Sequence, residues 1–160
     1  MNDGNPKRLP PARWRHVDDC LILFTEPNTA ISDGLWGQVL VAIDDGRVNR
    51  VLSATGGDGY AKITKKQWRL AAAIIRQRAY PVATVTEHSI TLAMTRAANW
   101  LGANTVGFKW RDLDDALAHL GVPVTRRAFA STALLELREG IPPLAGADAW
   151  PQELLEVGEA

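Results

Sequence analysis

Along the chain the spacing of apolar residues switches repeatedly between two and about 3.6, and each switch marks a change of element. Arg13 to Val17 alternates weakly and reads as the edge strand of a hairpin whose turn is Asp18-Asp19. Cys20 to Thr25 is a continuous apolar run of strand length, the pattern of a strand covered on both faces. After Pro27, Ser32 or Asp33 caps a helix with Leu35, Trp36, Val39, Leu40 and Ile43 on one side, stopped by Asp44-Asp45-Gly46. Val48 to Ala54 and Pro81 to Thr86 read as two further covered strands.

Between those two strands lies the stretch around which the chain is organised. Gly56, Gly57 and Gly59 relax the backbone where a strand turns into a helix. Thr64 and Gln67 then have the spacing of a capping box. On the helix that follows, Trp68, Ala71, Ala72, Ile75 and Ala79 share a face and Lys65, Arg69 and Arg76 line up beside it. Ser89 to Leu101 is a third amphipathic helix, with Gly102 as its left-handed end. Thr105 to Trp110 alternates, with Val106, Phe108 and Trp110 on one side. Asp112 caps a short helix that packs Leu113, Ala116, Leu117 and Leu120 and ends at Gly121. Ala128 to Arg138 is a last helix, with Phe129, Ala133, Leu134 and Leu137 inward.

Trp36, Trp68 and Trp100 recur at an interval of 32 residues, each on the apolar side of its helix, as three equal strand–helix units would place them. A buried indole is first of all a large piece of core, so the interval reads as architecture. The fold expected is α/β, a mixed and mostly parallel sheet of four to five strands with helices packed on it plus a C-terminal helix. Its divisions are a loose leader over 1–12, an α/β domain over 13–122, and a C-terminal helix with an acidic tail over 123–160, where every charge from Ile141 onward is negative.

A chain of 160 residues makes one domain able to bury roughly 70% of its unfolded surface. Lys plus Arg and Asp plus Glu each number 18, so no global field draws in nucleic acid or an anionic membrane. Cys20 is the only cysteine, which excludes an internal disulfide and a cysteine-built metal site and fits a reducing cytoplasm. No export signal or membrane span is evident.

In a parallel sheet the carboxyl ends of the strands gather the chemistry-bearing residues, here Glu26, Asp58, Glu87 and His88. As acid–base groups or hard-metal ligands they have no spacing that chemistry demands. No G-x-S-x-G elbow or H-E-x-x-H motif is present, and the glycine loop has neither nucleotide-binding spacing. The reading is therefore non-catalytic, without metal or cofactor. Thr55, Gly56, Gly57, Asp58, Gly59, Lys62 and Thr64 form a partner-binding or switch loop, and Lys65, Arg69 and Arg76 form the basic face beside it. From Gly59 to Thr86 there is no acidic residue. Ser53, Thr55 and Thr64 are the candidate phosphosites, since a phosphate there changes the charge that a partner meets. The alternative is a small-ligand sensor for a nucleotide, phosphate or lipid at the strand ends.

The order of elements, with Pro81 to Thr86, Ala97-Ala98-Asn99-Trp100-Leu101-Gly102 and the closing Val106 to Leu117, resembles the STAS family (sulfate transporter and anti-sigma factor antagonist), in particular its SpoIIAA-like branch. The likeness spans about 17–122. It implies a role in bacterial protein–protein signalling, with a kinase or other regulatory protein as partner, in the cytoplasm and with homo-oligomers open. Phosphorylated members carry Asp-Ser-[Ser/Thr]-Gly where this chain has Ala54-Thr55-Gly56, so only Thr55 and Gly56 survive from that pattern.

Overall fold

The computed structural model describes residues 8–100 and 103–141. The expectations for the start of the leader, for Leu101 and Gly102, and for the acidic tail lie outside those residues. The elements run β1 (Ala12–Val17), β2 (Cys20–Thr25), α1 (Asp33–Ile43), β3 (Arg50–Thr55), α2 (Lys65–Arg78), β4 (Val82–Val85), α3 (Ser89–Trp100), β5 (Thr105–Phe108), a 3-10 turn (Trp110–Asp112), α4 (Leu113–His119) and α5 (Val124–Glu139). The fold is thus α/β with a five-stranded mixed sheet in the order β1-β2-β3-β4-β5. Only β1 is antiparallel to its neighbour, and the remaining pairs are parallel.

A sheet that grows strand by strand in one direction through crossovers of one hand collects its crossover helices on one face. Leu21, Leu23, Val51 and Val82 meet Leu35, Trp36, Val39 and Ala71 there. Leu23, Ser53, Thr84 and Gly107 are partners across the ladder, and Gly107 lies under Leu92 and Thr95 of α3, so α3 belongs to the same layer. A Cβ at Gly107 would stand 2.9 Å from Leu92, which is why glycine interrupts this strand.

The opposite face is left to the helices after the last strand. Ile22, Phe24, Leu52, Ala83 and Val85 pack against Ala116, Leu117 and Leu120 of α4 and Ala130, Ala133, Leu134 and Leu137 of α5. The last helix is therefore part of the domain's core and not an appendage to it. It also starts earlier than its apolar spacing suggests, at Val124 directly after Pro123. Proline preceding the first helical residue lacks only an amide that would have no partner there.

Arg13 joins this second layer to the sheet edge. It is fully buried and its guanidinium donates to the carbonyls of Leu137 (2.8 Å), Arg138 (3.3 Å) and Pro10 (2.9 Å). It also pairs with Glu26 at 2.7 Å and lies over the Phe24 ring. The Leu137 and Arg138 carbonyls belong to the last turn of α5, and a cation suits that end of the helix dipole.

Three inward residues of the sequence reading are corrected. Trp68 and Trp100 are 57% and 90% exposed, and among the three regularly spaced tryptophans only Trp36 is core, its indole donating to the Gln67 carbonyl at 2.9 Å. Phe129 is likewise exposed, with Arg126 over its ring. Equal spacing records equal loop and helix lengths, but which flank of a helix meets the sheet depends on its rotation. Ala79 leaves the helical face as a left-handed C-cap with φ 54°. Asp112 makes no side-chain cap, and Trp110 leaves β5 for the 3-10 turn.

Arg13→Ala removes a buried charge whose partners remain, and should cost about 3–5 kcal/mol in urea unfolding, whereas Arg15→Ala, two residues along on the same face of β1 and paired with the more exposed Glu136, should cost less. Leu134→Ala should cost about 2–5 kcal/mol and Trp100→Ala no more than about 0.5 kcal/mol in the same assay.

Candidate functional site

The glycine-rich loop is held by the loop before α1. The amide of Asn28 donates to the Tyr60 carbonyl at 2.9 Å, and Ala30 and Lys62 form an isolated parallel bridge. Gly56 is buried under the Phe24 ring, where an added Cβ would sit 3.1 Å from the ring edge. At Gly59 an added Cβ would fall 2.5 Å from Pro27 and 2.7 Å from Asn28. Gly57 takes φ +58°, the left-handed region that glycine enters without strain. Between these fixed points Gly57 and Asp58 face solvent, as do Tyr60, Lys62 and Thr64.

The helix that follows is locked from its first turn. Thr64 accepts from the Gln67 amide at 3.1 Å, and Gln67 Oε1 accepts from the Thr64 amide at 3.0 Å. The buried amide group of Gln67 donates in turn to the Ile31 carbonyl and to Asp33. One glutamine thus caps α2 and fastens it to the start of α1. With that flank held, Lys65, Arg69 and Arg76 face outward, and among the described residues none of the three has a carboxylate partner. Lys66 lies 3.9 Å from Asp33, and Arg78 pairs with Asp44 and donates to carbonyls beyond the end of α1.

The three candidate hydroxyls differ in setting. Thr64 is exposed and acts as the cap. Ser53 is half-buried on the α1–α3 side of the sheet. Thr55 is buried, its hydroxyl 2.9 Å from that of Thr25, and so points into the strand ends and away from the loop surface.

The four strand-end groups do not converge. Glu26 is taken by Arg13, Glu87 accepts from the Trp110 amide at 2.9 Å, and His88 Nδ1 lies 2.9 Å from the Thr91 hydroxyl with its ring against Tyr60. Asp58 stays in solvent. Among the described residues no three His, Cys, Asp or Glu side chains are grouped to hold a metal ion. Cys20 is buried, and desolvation pushes its thiol up to about 12, so little thiolate exists near neutrality.

Trp110, read from the sequence only as one side of a strand, is a principal part of this edge. Its indole donates to the Thr55 carbonyl at 2.9 Å, its ring tilts against Phe24, and Arg138 lies over it. Arg13, Phe24, Trp110 and Arg138 together close the α4–α5 side of the strand ends. The signal for Arg13 was present, a charged residue inside a short alternating run, but nothing local shows which carbonyls it meets. The larger described cavity, about 550 Å³, lies away from this edge between β1 and α5, lined by Arg15, His16, Asp18, Arg126, Phe129 and Glu136. Its charges are neutralised in pairs, Arg15 with Glu136 and Arg126 with Asp18.

Gly59→Ala forces the loop from Pro27 and Asn28 and should cost about 1–3 kcal/mol in thermal or urea unfolding, while Gly46→Ala, where a Cβ meets nothing, should leave stability within about 0.5 kcal/mol. Compared with known proteins, the chain matches no family model, no curated protein and no solved structure.

Proposed function

We propose that the protein is a non-catalytic regulatory or scaffold module of STAS type that binds a protein partner through the Gly56–Lys62 loop and the basic helix α2. The observation that carries this reading is the set Lys65, Arg69 and Arg76, three cations on one exposed helix flank with no carboxylate partner among the described residues. A solvated basic flank on a protein of zero net charge is a local field, and such fields steer association with a surface of opposite sign. The adjoining loop supplies what a docking edge needs. Its base is fixed by Gly56, Gly59 and the Ala30–Lys62 bridge, and its tip at Gly57 and Asp58 is open to solvent.

Recognition of this kind needs no acid–base pair. It also fits the separation of Glu26, Glu87 and His88, each of which is occupied within its own loop. The partner is an acidic protein surface, of the regulatory kind that the family likeness suggests. The exposed Thr64 hydroxyl at the start of α2 is the position where a phosphate would alter this surface most, at the expense of the cap.

In the full chain, Lys65→Glu with Arg69→Glu and Arg76→Glu should abolish retention of the partner that co-purifies from the native cell, with the melting temperature held within about 2 °C, since all three side chains are solvated. Retention by the wild type should fall as salt rises. Equal retention by the triple variant would remove the basic helix from the binding site.

A further inference from the structure

Helix α2 carries two stripes of small and apolar side chains, and the fold uses one of them. Gln67 and Ala71 are buried against α1, where the Trp36 indole donates to the Gln67 carbonyl at 2.9 Å and Ala71 joins the cluster of Leu35, Trp36 and Val39. That flank holds the helix to the body. The second stripe is Trp68, Ala72 and Ile75, at steps of four and three, the spacing by which one helix meets another along a seam. Trp68 is 57% exposed, its indole without a ring or hydrogen-bond partner among the described residues, and Ala72 and Ile75 are half-buried. The stripe is left partly in water.

The cations of α2 stand in register with this stripe. Arg69 and Arg76 each follow one of its residues, Trp68 and Ile75, so they repeat after seven positions, about 10.5 Å along the axis and within about 20° around it. Lys65 lies on the same line one turn before Arg69, about 6 Å away. All three are exposed and have no carboxylate partner among the described residues. In paired helices, charges that flank the seam at seven-residue intervals choose the partner and its direction.

The pattern separates the surfaces that could answer it. A second copy of α2 does not, because there is no acidic residue from Gly59 to Thr86, and pairing two copies sets arginine against arginine or against an uncharged side chain. A phosphate chain matches the cations and leaves the apolar stripe in water. An acidic amphipathic helix answers both, with apolar residues for the stripe and carboxylates for the line beside it.

We propose that the docking element of the partner is an acidic amphipathic α-helix that lies along α2. Its apolar residues cover Trp68, Ala72 and Ile75, and its carboxylates, seven positions apart, stand opposite Arg69 and Arg76. This rests on the docking reading above and gives that partner a chemical class. An exposed tryptophan beside two arginines is also the composition that dominates binding energy in protein interfaces.

The test uses the full chain and a synthetic peptide of seven-residue repeats with leucines along its seam and glutamates on both flanks, whose mutual repulsion keeps it from pairing with itself. Its control is an isomer of the same composition shuffled so that neither leucines nor glutamates share a face. By calorimetry the patterned peptide should bind at least about tenfold tighter than the isomer. Arg69→Glu with Arg76→Glu should remove about tenfold of that affinity. Trp68→Ala should remove about fivefold or more. Both variants should melt within about 2 °C of the wild type, since these side chains are largely solvated. Equal binding of the two peptides, undiminished binding by Trp68→Ala, or equally tight binding of a mixed-sequence DNA duplex overturns the proposal, because charge alone then accounts for recognition. If the native partner is lost from the triple glutamate variant while the peptides bind alike, the helix class falls and the docking reading stands. If the native partner is retained by that variant, the docking reading falls, and a preference for the patterned peptide still assigns α2 as a helix-binding surface.

Discussion

A buried guanidinium holds the two halves of this fold together. Winding the sheet steadily in one direction places every crossover helix on one face, and the other face must be covered by chain that arrives after the last strand. α5 comes to it from sequence more than a hundred residues away from β1, and its C-terminal carbonyls end at the sheet edge. Arg13 supplies donors to those carbonyls and places a positive charge at the negative end of the helix. Glu26 balances that charge, and the Phe24 face covers it. A charge this deep persists because every direction around it is occupied, and removing any one partner exposes the desolvation cost of the rest.

The consequence is an asymmetry between the two layers. On the α4–α5 side the strand ends are closed by Arg13, Phe24, Trp110 and Arg138. On the α1–α3 side the glycine loop is fixed at its base and open at its tip. Ser53 and Thr84 show between α2 and α3, and the cations of α2 face water. The proposed docking surface falls on the open layer for the same reason that the closed one offers none. At the strand ends the closed side is filled by Arg13, Phe24, Trp110 and Arg138, while on the open side Lys65, Arg69 and Arg76 of α2 have no carboxylate partner among the described residues.

Much of this was legible in the residues. Period and punctuation located the strands and helices to within a few positions, because a run such as Cys20 to Thr25 has no stable alternative to burial on both faces. The Thr64–Gln67 capping box was readable because both of its bonds are local. The glycine loop was readable as a turn, since only Gly57 needs its left-handed backbone and the neighbouring glycines make room for Phe24 and Pro27.

The tryptophan interval shows where local reading ends. Trp36, Trp68 and Trp100 occupy equivalent places in sequence, yet one is core and two are exposed, because a helix's rotation about its axis is fixed by contacts such as Gln67 with Ile31 that span the fold. Strand and helix periodicity, the Ser32 and Thr64 caps and charge sign are properties of neighbouring residues, and the sequence alone determined them. The partners of Arg13, the role of Trp110, the separation of Glu26, Asp58, Glu87 and His88, and the incomplete cover over Ser53 and Thr84 were decided only by the tertiary structure. Each depends on which distant segments share a sheet face, and a one-dimensional pattern carries no record of that distance.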